Sequence, residues 1–345
     1  MKINNEEPKI PPLDKLYFSV FSFTAEAVED IFISEFKGST FHGGFGKAFK
    51  RLVCINPQEK LCERCIVNKN CSYYRVFDSR IDEETGTLLK ITSTAPRPYV
   101  LEPPNTIQRK FGKGELFHFN LILIGWALEY LPYFIIVFER LGEIYGIGKK
   151  INEKRGRFKL LNVRNAGKTI YAGDNKILLL PFEKYTAGGL PPAENPVKIK
   201  LNFVTPARLE VQHKPQMLDQ RSGFTTFILR LYGRLYRLQE IYCSDPASPF
   251  SQEEIEILSR EIKTVHASLE WYDLERFKKI YSEEEITGIH ASGKKQKMQY
   301  GGFIGEVIFE GNLRPFIDMI RLGEHLHIGK YYTFGLGKYE ILSME

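Results

Sequence analysis

Between Leu322 and Tyr339 the chain reads L-G-E-H-L-H-I-G-K-Y-Y-T-F-G-L-G-K-Y, and these residue types suit a phosphate ligand. Gly323, Gly329, Gly335 and Gly337 let a backbone take positive φ and approach a bound group closely. Consecutive exposed amides in such a turn form a concavity that attracts anions. Lys330 and Lys338 add positive charge, and His325, His327, Tyr331, Tyr332 and Phe334 stand between them. A phosphate carrying a base is the expected ligand, with Gly329, Lys330, Gly335, Gly337 and Lys338 as its contacts. A lone G-x-G would mean only a turn that closes a sheet; glycine, lysine and histidine together argue for more. Two familiar phosphate loops are excluded. Lys338 is followed by Tyr339, which breaks the P-loop pattern, and a dinucleotide fingerprint needs a following helix that this C-terminal loop lacks.

Three other groups carry potential chemistry. Cys54, Cys62, Cys65 and Cys71 fall within eighteen residues at C-x7-C-x2-C-x5-C spacing. In a reducing compartment that spacing points to structural zinc or an iron–sulfur cluster on four thiolates; the competing reading is four loosely spaced thiols without metal. Arg230, Arg234 and Arg237 share one face of a predicted helix at i, i+4, i+7, with no acidic residue at that spacing before Glu240. Such a row fits RNA phosphates or a stacked base, a solvated face being the alternative. Lys294, Lys295 and Lys297 lie between two predicted strands, as a basic hairpin tip beside RNA or a solvated loop.

The elements that would position these groups occur twice in the same order. Lys15–Thr24 predicts a strand, and Ser39 or Thr40 is the expected cap of a helix ending near Val53. Strands follow at Pro98–Leu101 and Glu115–Leu123, a helix at Gly125–Leu141, a first glycine loop at Gly142–Lys150 and a strand at Arg157–Val163. After Ala187–Pro196, a linker by composition, strands at Val197–Val204, His266–Trp271 and Gly302–Phe309 alternate with helices at Phe224–Leu238 and Leu313–Leu322. A strand at Lys338–Leu342 closes the set. The expected fold is α+β: two tandem ferredoxin-like domains (RRM-like, βαββαβ), residues 1–190 and 191–345, with a cysteine-rich insertion in the first.

Composition sets outer bounds. A chain of 345 residues has room for two cores. Its net charge of +6 permits a polyanionic partner without requiring one. The start, M-K-I-N-N-E-E-P-K, has no apolar core for a signal peptide, and Leu121–Phe138 is interrupted by Glu129 and Pro132. A cytoplasmic protein without a membrane span is expected.

Several blocks in order resemble the CRISPR-associated endoribonucleases that process precursor guide RNA, members of the RAMP superfamily. These blocks are G-S-T-F-H-G-G-F-G-K-A-F-K-R-L-V-C with the cysteines after it, R-P-Y-V-L-E-P-P, G-E-L-F-H-F-N-L-I-L-I-G, L-G-E-I-Y-G-I-G-K, L-E-W-Y-D-L-E-R-F, F-I-G-E-V-I-F-E-G-N-L and the terminal glycine loop. The resemblance implies cleavage of CRISPR repeat RNA without a catalytic cofactor. The 2′-hydroxyl attacks the adjacent phosphate, leaving a 2′,3′-cyclic phosphate and a 5′-hydroxyl. Such chemistry needs a base, an acid and cations around the phosphorane.

His42, in the glycine-flanked start of the first helix, matches the place where this family often carries its catalytic histidine; many similar sequences have arginine there, which would make it a phosphate contact. His327 is the second candidate, in its H-x-G-K context, with bracing of the loop as the alternative. Lys47 and Lys50 would stabilise charge, and His118 is expected to satisfy a local hydrogen bond. Repeat RNA is the implied partner, together with other CRISPR effector subunits. Two further readings stay open: a catalytically silent RNA-binding subunit of an interference complex, and a metal-dependent structural or redox protein built on the cysteines.

Overall fold

The computed structural model describes residues 10, 12–59, 61–91, 94–173, 182–189, 195–244, 249–280 and 294–345. Alternating aromatic and small residues make Tyr17–Ala27 the first strand, β1, which sends Phe21, Phe23, Ala25 and Ala27 into a core. Helix α1 covers Gly38–Val53 and buries Phe41, Phe45, Ala48 and Phe49 at helical spacing. Its N-cap is Lys37, not Ser39 or Thr40, and no side chain caps it. Lys37 is fully buried instead, and its ammonium donates to the carbonyls of Glu35 and Thr106. Strands β2 (Tyr99–Glu102) and β3 (Leu116–Ile124) follow. The predicted helix Gly125–Leu141 is shorter: Gly125–Tyr130 is a 3-10 turn, and α2 runs Leu131–Arg140 with Pro132 in its first turn. Proline suits that position because its missing N–H has no partner there.

The first glycine loop is a hairpin, β4 (Ile147–Ile151) and β5 (Lys154–Gly156), leading into β6 (Phe158–Asn165) and β7 (Lys168–Tyr171). The main sheet is antiparallel, with strand order β2-β3-β1-β6-β7.

The second half repeats the plan with β8 (Lys198–Ala207), α3 (Gly223–Tyr242), β9 (Lys263–Tyr272), β10 (Gly302–Glu310), α4 (Ile317–Leu326) and β11 (Tyr339–Met344). Its sheet order is β9-β10-β8-β11. The molecule is thus a mixed α/β fold of antiparallel sheets, each with its first strand central.

Of the two main cores, one lies within the first half and the other is built from both halves. Leu121 and Leu123 face α1 and α2, whereas Phe18, Val100, Ile122 and Ile124 join the core built on α3, α4 and the second sheet. That explains the unbroken apolar run Leu121–Ile124, as a strand buried on both faces shows no alternation. Among the described residues no helix is long and apolar enough to cross a membrane.

Candidate active site at the helix–loop junction

Residues from both halves meet where α1 reaches the terminal glycine loop. His42 lies in the second turn of α1, is 7% exposed, and stacks on Phe334 of the loop with ring centres 4.1 Å apart. Phe77 stands 5.0 Å from the same ring. The His42 Nε2 is 3.1 Å from the hydroxyl of Tyr99 on β2. Burial raises the Tyr99 phenol well above its ordinary range, so it stays a hydroxyl. It can donate to an unprotonated Nε2 or accept from a protonated one, and the contact therefore survives a proton-transfer cycle.

Outside this ring the surface is cationic. Lys47 and Lys50 follow His42 on the helix, and α1 contains no acidic residue. Lys47 is exposed; Lys50 lies 5.7 Å from the Tyr73 ring, Arg51 lies 4.9 Å from Tyr145, and Arg97 lies 5.0 Å from Phe77. A surface cavity of about 370 Å³ opens among Gly46, Lys47, Lys50, Arg51, Tyr73 and Phe77. Phosphate and an unpaired base both find suitable partners there.

The glycine loop itself does not form the expected open nest. A Cβ at Gly335 (φ +81°) would sit 2.5 Å from Pro103 of the first half, and one at Gly337 (φ +73°) only 1.8 Å from the Ile328 carbonyl. Glycine is needed there for packing of chain on chain. Gly329 backs onto Arg208 in the same way. The lysines are engaged by carboxylates: Lys330 Nζ is 2.5 Å from Glu210, and Lys338 Nζ is 2.9 Å from Glu102. His327 is fully buried, with Nδ1 3.0 Å from the Leu336 carbonyl and Nε2 2.8 Å from Glu102. Both nitrogens are engaged, one by the Leu336 carbonyl and one by the Glu102 carboxylate. His327 braces the loop and has no route to a substrate, which corrects its reading as a catalytic group. His325 packs on Phe18 and Tyr185, and burial lowers its pKa.

Glu102 ties the halves together. Burial alone would raise its carboxyl, but the hydrogen bond and charge of His327, the charge of Lys338 and a bond from Asn120 hold it well below the usual carboxylate range.

The arginine row also turns inward. Arg234 is 7% exposed, and its guanidinium donates to the carbonyls of Leu326 and His327, closing the C-terminus of α4. Arg237 donates to the carbonyls of Leu89 and Gly233. Only Arg230 of the three is exposed. The row therefore joins the halves and offers RNA no continuous face. Lys294, Lys295 and Lys297 fall in the strand Lys294–Gln299, paired with Glu275–Ile280, rather than at a hairpin tip, and their side chains lie outside the described residues.

The four clustered thiols are corrected as well. Cys54, Cys62, Cys65 and Cys71 line one cavity of about 670 Å³, yet among the described residues no three His, Cys, Asp or Glu side chains converge to hold a metal ion. A structural zinc or iron–sulfur site at these thiols is not supported. His118 behaves as anticipated: it is exposed, with Nδ1 3.2 Å from the Thr24 hydroxyl. It borders a second cavity, about 590 Å³, between the two sheets. Sequence reasoning missed Tyr99, Arg97 and Glu102 as site residues, although the R-P-Y-V-L-E block that holds all three stood out for resemblance alone.

Residues 201–339 match the family described as CRISPR-associated endoribonuclease Cas6, and residues 16–181 match a family described as an N-terminal domain. Fold and match together define a CRISPR-associated RNA-cleaving enzyme. Residues 201–339 are a Cas6-type endoribonuclease region. A product complex of Thermus thermophilus Cas6 is similar with TM-score 0.51 at 12% identity, over 94% of this chain and 100% of that one. A partial Cas6-RT-Cas1–Cas2 complex is similar with TM-score 0.51 at 11% identity, over 96% of this chain and 46% of that one. No curated protein matches the sequence.

Proposed function

We propose that this endoribonuclease cuts CRISPR repeat RNA through attack of the RNA's own 2′-hydroxyl, giving a 2′,3′-cyclic phosphate and a 5′-hydroxyl with no catalytic metal. The observation that carries the reading is the position of His42. It is the histidine that touches α1, the glycine loop and, through Phe77, the cationic surface. His42 moves the proton, Tyr99 fixes its ring, and Lys47, Lys50 and Arg97 offset charge developing on the phosphorane. Phe77 covers the ring from the solvent side, and its displacement by a nucleotide base admits the RNA. The shared strand order of the two sheets supports a pair of ferredoxin-like domains, residues 1–190 and 191–345. Their junction builds the site, so neither half suffices alone.

The test is incubation with repeat RNA in EDTA, with both product ends mapped. His42→Ala is expected to slow cleavage by ~10²-fold or more while sparing affinity. A near-normal rate in that variant moves proton transfer to another residue; products with a 5′-phosphate overturn the 2′-hydroxyl route.

A further inference from the structure

The cavity lined by the four clustered thiols stands outside the mechanism above. Its volume of about 670 Å³ lies within the range of small-molecule pockets. The end of α1, the segment from Cys54 to Tyr74, and Tyr133 and Ile136 of α2 enclose it, and most of the lining is apolar. Burial raises the pKa of the Cys62 thiol, which keeps that wall uncharged. A neutral sulfur is soft and polarisable and suits an aromatic ring, and Tyr73 and Tyr133 add rings of their own.

Three polar side chains break the apolar lining, and two of them are held in place. Asn68 opens a short 3-10 turn, and its Nδ2 donates to the Glu63 carbonyl at 2.8 Å. That bond fixes the amide and leaves its Oδ1 and second N–H for a ligand. Glu59 Oε1 accepts from the Leu61 amide at 2.8 Å. Among the described residues its other oxygen has no hydrogen-bond partner, and neither has the side-chain amide of Asn56. All three side chains line the cavity and are half-buried. Such a set reads a base that carries an amino group. An asparagine amide pairs with the N6 and N7 edge of adenine, and a carboxylate accepts from an exocyclic amine.

The cavity is joined to the surface beside His42. Lys50 and Tyr73 line both it and the smaller cavity next to Phe77. Tyr73 stacks on Phe77 with ring centres 4.9 Å apart, and Phe77 stands 5.0 Å from His42. Once a nucleotide displaces Phe77, Tyr73 is the next ring on that path. Lys50, on the wall that the two cavities share, supplies the charge for the phosphate between them.

We infer that this cavity takes one unpaired adenine of the repeat, swung out of the strand beside the scissile phosphate and read by Asn56, Glu59 and Asn68. A base free of a duplex can offer its whole edge in this way and stack on an aromatic side chain. The inference rests on the repeat-RNA reading and deepens it by a base-selective subsite.

The experiment uses the full chain as wild type and as two variants, Asn56→Ala/Asn68→Ala and Glu59→Gln, the glutamine keeping an acceptor for the Leu61 amide. In the repeat RNA each unpaired nucleotide near the cut is exchanged in turn for every base and for purine riboside, which lacks the amino group. Single-turnover cleavage rates are then measured. At one position the wild type should cleave the adenine RNA about tenfold or more faster than the uracil or purine-riboside RNA. Both variants should lose most of that ratio and still cleave the purine-riboside RNA at the wild-type rate, which a merely structural defect would not spare. A ratio that survives in both variants overturns the pocket. If the double variant fails to fold, Glu59→Gln decides alone. Wild-type cleavage that ignores the base at every unpaired position refutes this inference only, whereas a wild type that leaves repeat RNA intact refutes the reading beneath it.

Discussion

Replacing Glu102 tests whether the halves are joined by one buried carboxylate. Its side chain is 13% exposed and meets His327, which is fully buried, and Lys338, which is 31% exposed. Glu102→Ala leaves the His327 ring and the Lys338 ammonium without their shared acceptor and removes the acceptor of the Asn120 amide. Loss of one partner of a buried ion pair costs about 3–5 kcal/mol. In urea that corresponds to a midpoint lower by ~1 M, taking a slope near the top of the usual range. The pH dependence supplies a second, sharper reading through Glu102→Gln. The folded carboxyl titrates below its unfolded value of about 4.3. Its contribution is therefore complete above about pH 5 and lost as the pH falls through 4 toward the folded value. The stability gap between wild type and Glu102→Gln should shrink across that window. A gap that is absent at pH 7, or that does not narrow in acid, refutes the clasp. Because the loop held by Glu102 presses Phe334 on His42, cleavage of repeat RNA should also fall in the alanine variant.

Two other substitutions probe the same junction. Gly337→Ala sets a Cβ against the Ile328 carbonyl at positive φ, where no rotamer relieves the clash, so a loss of at least ~3 kcal/mol is expected; a melting temperature within about 2 °C of wild type would contradict it. Arg234→Met should destabilise by about 2–4 kcal/mol, because the carbonyls of Leu326 and His327 lose their donors, yet leave the salt slope of RNA binding unchanged. A slope reduced by about one would return this arginine to the RNA.

The strands and helices were legible because their burial is periodic. Phe45, Ala48 and Phe49 mark α1, and Phe227, Leu231, Leu235 and Leu238 mark α3. What the periodicity hides is the identity of whatever lies opposite. The arginine spacing correctly placed three side chains on one face of α3, but that face is turned toward Leu89 of the first half and the end of α4. The flanking Tyr232 and Tyr236, both buried, were the available sign that a second side of the helix is interior.

The glycine loop shows the same ambiguity in sharper form. Positive φ and a missing Cβ serve a phosphate or a neighbouring backbone equally well, and a lysine neutralises a phosphate or a carboxylate equally well. The deciding partners, Glu102 and Glu210, lie far away in sequence and enter only when the halves pack. Once they are in place, the loop's charge is spent inside the molecule, whereas Lys47 of α1 remains exposed. On the proposed mechanism the loop's contribution to cleavage is mechanical. It carries Phe334, and Phe334 stacks on His42, the residue proposed to move the proton, next to the cavity lined by Lys47, Lys50 and Arg51.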